Sequence, residues 1–208
     1  MRSFGLRSLL ALGLLSLSLH SPLVGQDKVL MIVKDAPSLD LPLMLEHEVL
    51  VMQKMLEGAG FDVVVASPSG APLVAGEFTL TPDLRLAEVN MDDYAGIIRP
   101  CMAVESEPSI PETEALVREA LVANKPVAAQ TGSVVTLARA GVLMGRKFAY
   151  PSEFIEDVPE LEGMTPKGHG VVQDGNLITS GVCPYAAREL GLEDGTQALT
   201  GAMIAQLW

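Results

Sequence analysis

The sequence predicts an α/β domain: a doubly wound, mainly parallel sheet with helices on both faces. Three observations predict it. Short apolar runs alternate with segments of helical periodicity, the links between them are short, and aromatic residues make up only 4% of the chain. Parallel strands are buried on both faces, so they are typically short runs of Val, Ile, Leu and Ala. The 208 residues fit one such domain.

The predicted elements follow directly from these patterns. Apolar runs of four to six residues predict strands at 29–33, 61–66, 94–99, 126–129 and 177–180. Apolar residues three and four apart predict helices at 46–59, 111–123, 134–140 and 195–207. Gly60 and Gly141 follow two of these helices, as glycines at helix C-termini often do.

The charge balance excludes several classes of partner. The chain has 26 acidic and 14 basic side chains, a formal net charge of −12, and no basic run after the N-terminus. Nucleic acids and anionic membranes are bound by clustered Lys and Arg, so we expect neither as a partner.

The N-terminus predicts export. Two arginines precede an apolar segment at 9–19, and small or turn-forming residues follow up to Gly25. This pattern is typical of a secretory signal peptide, which we place at 1–25, with a single mature domain at 26–208. The apolar segment is short for a membrane span, and a retained anchor is the alternative. We therefore expect a periplasmic or secreted protein.

Four segments of the chain resemble the DJ-1/PfpI family. They are VLMIV with LEHEVLVMQKMLEGAGFDVVVASPSGAP, then MDDYAGIIRP, KPVAAQTGSVVTLARAGVLMGRKFAYPS and DGNLITSGVCPYAARELG. Together they cover nearly all of the mature chain. The resemblance implies the flavodoxin-like fold of class I glutamine amidotransferase domains, a ligand site beyond the carboxyl ends of the strands, and a tendency to dimerise.

The resemblance also shows a departure at the nucleophile. In the family a sharp turn after the fourth strand carries a reactive cysteine. Here Thr131 takes that position, and Gly132 stands where many members have histidine. A threonine hydroxyl is a poor nucleophile unless a base removes its proton. We therefore expect the cysteine chemistry to be absent and Thr131 to cap the next helix; a threonine nucleophile is the alternative.

A second family feature is an acid near the start of the first helix. The resemblance places Glu48 there, with Glu46 as a competitor. It implies that Glu48 lies in the pocket and hydrogen-bonds Thr131. The alternative is that both acids only complement the helix dipole.

The loop after the third strand departs as well. The family has Pro-Gly-Gly there, with backbone N–H groups forming an oxyanion site, whereas this chain has Pro100, Cys101 and Met102. Side chains therefore stand where a substrate would approach the backbone. A third departure is Tyr150-Pro151, where some members have His-Pro.

The two cysteines leave several readings open. Cys101 is either a relocated nucleophile or an inert thiol. Cys101 can pair with Cys183, because exported proteins keep disulfides. The fourth strand, which leads into the sharp turn (the elbow) at Thr131, should however lie between the loops that carry the two cysteines. The loops would then have to curl over that strand; the alternative is two separate buried thiols.

No metal or other cofactor is expected. Glu46, His47 and Glu48 are consecutive on one helix, so their side chains point in different directions. His169 lies in a Gly-rich loop and is expected to be solvated.

The predicted function is an exported, non-catalytic DJ-1/PfpI-like domain that binds an unidentified small molecule or a partner. Its predicted pocket consists of Glu48, Pro100, Cys101, Thr131 and Gly132. Two alternatives stay open. One is a hydrolase or lyase of altered mechanism acting on small carbonyl or amide compounds, and the other is a structural role as a homodimer.

Overall fold

The computed structural model describes residues 27–106 and 108–208. The signal peptide predicted at 1–25 lies outside them. Within these residues the strands are β1 (Lys28–Ile32), β2 (Asp62–Ser67), β3 (Leu73–Ala75), β4 (Phe78–Leu80), β5 (Leu84–Arg85), β6 (Gly96–Arg99), β7 (Val127–Gln130), β8 (Val171–Asp174) and β9 (Leu177–Ser180). The α-helices are α1 (Leu41–Met44), α2 (Leu50–Gly58), α3 (Pro111–Val122), α4 (Val134–Arg139), α5 (Pro184–Leu190) and α6 (Thr196–Leu207).

The predicted fold class is confirmed. Seven strands form one sheet in the order β5-β2-β1-β6-β7-β9-β8. All neighbouring pairs are parallel except β8 with β9, which is antiparallel. Strands β3 and β4 form a separate antiparallel hairpin.

The alternation of side chains along β1 shows how the layers are built. Leu30 and Ile32 contribute to the core under α3 and α4, whereas Val29 and Met31 contribute to the core under α2 and α6. Successive strand residues point to opposite faces, so a continuously apolar strand must be covered on both sides. No helix of the described chain is long and apolar enough to cross a bilayer.

The first helical region begins earlier than the periodicity predicts. It starts at Leu41 rather than at 46, and a π-helical segment (Leu45–Val49) links α1 to α2. The Asp40 carboxylate accepts a hydrogen bond from the Leu43 amide at 3.2 Å, and Pro42 lies in the first turn. Proline suits a helix start because that position needs no amide donor, so Pro42 is compatible with the first turn of α1.

One glycine position tests the packing of the central sheet. A Cβ added to Gly96 in β6 would lie 2.7 Å from both the Pro126 carbonyl oxygen and the Met203 side chain. Gly201, in α6, has open space at the same point. We expect Gly96→Ala to lower the free energy of unfolding by about 2 kcal/mol through overpacking. Gly201→Ala should raise it by about 1 kcal/mol through helix propensity. Urea denaturation measures both; changes of the same sign would contradict this packing.

Candidate functional site

The candidate site lies where the order of the strands changes direction. Strand β2 lies on one side of β1 and β6 on the other. In open α/β sheets, ligands bind beyond the carboxyl ends of the strands at such a point. Lys34 follows β1, Cys101 follows β6, Thr131 follows β7 and Cys183 follows β9, so the fold brings four functional side chains to one edge.

Glu48 anchors the loop after β6. It lies in the π-helical segment and is fully buried, while Glu46 and His47 are exposed. Its Oε1 accepts a hydrogen bond from the Cys101 amide at 2.8 Å, and its Oε2 accepts one from the Met102 amide at 2.9 Å. Of the two predicted acids, Glu48 and not Glu46 is therefore the one that binds the loop after β6.

The anchored loop has an unusual backbone. Met102 has φ = 60° and Ala103 has φ = 43°, so two consecutive non-glycine residues adopt the left-handed conformation. This conformation costs an L-residue about 1–2 kcal/mol. The two hydrogen bonds that Glu48 accepts from the amides of Cys101 and Met102 hold the loop in this conformation and offset that cost.

Lys34 supplies the cationic group of the site. Its side chain is fully buried, and Nζ donates a hydrogen bond of 2.5 Å to the Cys101 carbonyl oxygen. Burial raises the pKa of Glu48 well above 4.5, and the nearby charge of Cys101 raises it further. The loop amides and the Lys34 ammonium act in the opposite direction. Glu48 and Lys34 thus hold the same loop, one through its amides and the other through the Cys101 carbonyl oxygen.

The Cys101 thiol has a pKa well below its ordinary value. Its sulfur accepts hydrogen bonds from the Cys183 thiol and from the amides of Gly132 and Ala103. The bond from Cys183 contributes most, and with the Lys34 ammonium these donors lower the pKa of Cys101 to about 6 despite burial. A thiolate is the nucleophilic form of cysteine, so the donors favour the reactive state at neutral pH.

Cys183 has the opposite character. Donating its S–H to Cys101 raises the pKa of Cys183 well above 9, and burial and the charges of Cys101 and Glu48 act in the same direction. The two groups are linked: Cys101 loses its proton more easily because Cys183 donates to it, and Cys183 holds its proton more tightly for the same reason.

The two cysteines are free thiols in contact with each other. No disulfide joins Cys101 to Cys183 in the described structure, and both are buried. They share one apolar cluster, whose other buried members are Met44, Ala103, Val182 and Ala186. The loops after β6 and β9 thus place both thiols in one buried cluster, although β7 lies between these two strands in the sheet.

The sharp turn after β7, the elbow, has a strained backbone at Thr131. Thr131 has φ = 42°, which is rare for a β-branched residue, and it is only 6% exposed. Its Oγ1 has no hydrogen-bond partner among the described residues. The predicted bond from Glu48 to Thr131 is therefore wrong, because both Glu48 oxygens are bound to loop amides. The predicted helix cap by Thr131 is wrong for the same lack of a partner.

A model of the DJ-1/PfpI family matches residues 28–193. The chain belongs to this family. It is 35% identical over 153 residues to the uncharacterized protein MJ0967 of Methanocaldococcus jannaschii, across 71% of this chain and 74% of that protein.

Solved structures share the fold of this DJ-1/PfpI protein. One is a ThiJ/PfpI domain protein from Brachyspira murdochii, with a TM-score of 0.69, 19% identity, and coverage of 88% of this chain and 97% of that one. Another is oxidized DJ-1 from Toxoplasma gondii, with a TM-score of 0.56, 22% identity, and coverage of 86% and 97%. At these identities the likeness concerns the fold alone.

Two features of the site were not anticipated from this DJ-1/PfpI sequence. Lys34 was missed, although a charge directly after the apolar run VLMIV, at the carboxyl end of a buried strand, is a signal that points to the site. Ser133 was missed too; its Oγ donates a hydrogen bond of 2.7 Å to the Pro100 carbonyl oxygen and ties the elbow to the β6 loop.

Two further groups singled out in the sequence are His169 and Tyr150. His169 is not simply solvated: its Nε2 lies 2.8 Å from Oε2 of Glu153, and this contact lowers the pKa of Glu153. Tyr150 is buried. Across residues 27–106 and 108–208, no group of three or more His, Cys, Asp and Glu side chains is placed to hold a metal ion.

The elbow strain can be measured with two matched variants. Thr131 and Thr113 are both buried and both lack a hydroxyl partner, but Thr113 lies in α3 with helical backbone. Replacing either threonine with glycine deletes the same side chain, so only the backbone terms differ. Glycine removes the strain of a left-handed backbone at position 131, whereas at position 113 it weakens a helix. Thr113→Gly should therefore lower the free energy of unfolding, measured by urea denaturation, by about 2 kcal/mol more than Thr131→Gly does. Equal losses would contradict a strained elbow.

The thiol pair predicts how Cys183 variants titrate. Cys183→Ala removes the leading donor to Cys101, so the pKa of Cys101 should rise above about 6. Cys183→Ser keeps an O–H donor and should restore part of the shift. Thiolate absorbance in the ultraviolet, recorded across the pH range, gives both values. Identical Cys101 titrations in the two variants would show that the Cys183 thiol is not the donor.

Proposed function

We propose that this protein is an exported DJ-1/PfpI-family member that performs no chemistry with its elbow side chain, and that its reactive group is the Cys101 thiolate. One observation carries the proposal. The Cys101 sulfur accepts hydrogen bonds from Cys183, Gly132 and Ala103 beside a buried ammonium, and its pKa falls to about 6. Reactive cysteines lie in electropositive, donor-rich surroundings of this kind.

The surroundings of Thr131 support the proposal that the elbow side chain performs no chemistry. Its hydroxyl has no base within hydrogen-bond reach among the described residues, and an unactivated hydroxyl is a weak nucleophile. The amides of Cys101 and Met102 are bonded to Glu48, so they are not free to stabilise an oxyanion at the elbow. Hydrolysis through Thr131 lacks both components.

Burial and charge limit the reactant. Cys101 is 4% exposed, so the reactant is small enough to enter a nearly closed site. The net charge of −12 disfavours anions. A thiolate attacks electrophilic atoms, so the proposed ligand class is small, uncharged electrophiles and oxidants. The protein binds such a molecule covalently at Cys101 and does not hydrolyse amides.

Export is proposed from the sequence of residues 1–25, with its arginines, apolar segment and small residues. An exported protein meets oxidants and electrophiles without the thiol buffer of the cytosol, which suits a protein whose reactive group is a thiolate.

A second candidate function is non-covalent binding of a small polar ligand at the elbow. The buried Thr131 hydroxyl without a partner favours it, since a ligand atom would satisfy that group. The pocket would be the predicted one: Glu48, Pro100, Cys101, Thr131 and Gly132. A thermal-shift screen tests it: a true ligand should stabilise the wild type and should stabilise Thr131→Val clearly less. Equal stabilisation of both proteins would reject this candidate.

The reactivity of Cys101 is tested by alkylation with iodoacetamide over a range of pH. We expect one native cysteine to be labelled, mapped to Cys101, with a rate that rises with pH through a midpoint of about 6. The direction follows from the sign of the shift, because the thiolate fraction grows as pH rises through a lowered pKa.

Two variants separate the alternatives. Cys101→Ser should abolish native labelling, and Thr131→Ala should keep it. Labelling that begins only on unfolding would reject the proposed reactive thiolate, and labelling that requires Thr131 would restore a role for the elbow side chain.

A further inference from the structure

We propose that Cys101 and Cys183 form a reversible disulfide between the loops after β6 and β9, with a hydroperoxide as oxidant, a dithiol as reductant and Cys183 as the resolving thiol. The proposal rests on the proposed reactivity of Cys101 and adds the class of reactant, the second residue and the product.

The position of Cys183 carries the inference. Its side chain lies with that of Cys101 in one buried apolar cluster, and its thiol is the leading hydrogen-bond donor to the Cys101 sulfur. A disulfide needs the two sulfurs to close to about 2 Å. Cys183 lies between β9 and α5, and Cys101 lies in the loop after β6, so the closure can take place in two loops while the strands keep their register.

The surroundings of the pair favour small reactants over large ones. Met44, Val182 and Ala186 pack around the two thiols in one buried cluster. A hydroperoxide is small and uncharged, which fits a site whose reactive sulfur is 4% exposed. A second protein that delivered its own disulfide as the oxidant would need an open surface around Cys101, which this buried cluster does not offer.

The first chemical step joins an oxygen to Cys101. The thiolate attacks the terminal oxygen of the hydroperoxide, a sulfur–oxygen bond forms, and the oxygen–oxygen bond breaks. The leaving alkoxide or hydroxide takes the proton of the Cys183 thiol, which lies beside the reacting sulfur. The products are a Cys101 sulfenic acid, whose oxygen keeps the hydrogen it carried in the hydroperoxide, an alcohol or water, and a Cys183 thiolate.

The second step joins the two sulfurs. The Cys183 thiolate attacks the sulfenic sulfur, the sulfur–sulfur bond forms, and hydroxide leaves and is protonated to water. One hydroperoxide is reduced for every two thiols oxidised. An external dithiol reverses the bond by exchange, which returns both thiols and leaves the reductant as its own disulfide.

The experiment uses the full chain, reduced, freed of reductant and treated with hydrogen peroxide near neutral pH. Remaining thiols are then alkylated, and the protein is analysed by intact mass and peptide mapping. We expect a loss of two hydrogens, a cross-linked peptide that joins Cys101 to Cys183, and reversal by dithiothreitol. Because the native site holds Cys101 as thiolate, the linkage should form about tenfold faster than in urea-unfolded protein.

Cys183→Ser is the matched variant, because it keeps a hydrogen-bond donor but removes the resolving sulfur. In this variant Cys101 should instead gain two or three oxygens irreversibly. The same gain in the wild type, without a cross-linked peptide, would overturn the disulfide and leave the reactivity of Cys101 standing. If neither cysteine changes until the protein is unfolded, both the disulfide and the reactive thiolate are overturned.

Discussion

The site depends on one interaction, the hydrogen bonds from two consecutive loop amides to the buried carboxylate of Glu48. The loop contains Met102 and Ala103 in left-handed conformations that glycine would adopt without strain. The carboxylate offsets this strain, and Lys34 holds the carbonyl oxygen of Cys101 from the other side. The loop is thus fixed at three backbone atoms, and the Cys101 side chain is directed toward the elbow.

As a consequence, a backbone amide of the elbow donates to Cys101, which lies in a different loop. The Gly132 amide, which follows the elbow, donates to the sulfur of Cys101. Thr131 keeps the strained elbow backbone, but its hydroxyl has no partner in the described chain. The anion-stabilising backbone at the carboxyl end of β7 therefore supports a thiolate that comes from the neighbouring strand β6. The proposed nucleophile, Cys101, thus lies one strand along the sheet edge from the elbow position.

Much of the fold could be predicted from the sequence because continuous apolar runs and helical periodicity are local signals. The three-residue strands β3 and β4 escaped prediction because they are too short to show a period. At the site, Glu48 and Cys101 were found through the family pattern, and Lys34 was not. The contact between Cys101 and Cys183 depends on how the loops after β6 and β9 are placed, and the orphaned Thr131 hydroxyl depends on where Glu48 points. Neither feature can be predicted from the spacing of residues along the sequence.

The proposed reactivity of Cys101 requires the two neighbouring thiols to have very different pKa values, and NMR measures both pKa values directly. Protein labelled with ¹³C at the cysteine Cβ atoms gives separate signals for Cys101 and Cys183 across a pH titration. The structure predicts that Cys101 titrates near 6 and that Cys183 stays protonated beyond its ordinary pKa of 9. If both thiols titrate together at their ordinary pKa, the loop does not hold Cys101 as a thiolate, and the account of the site is wrong.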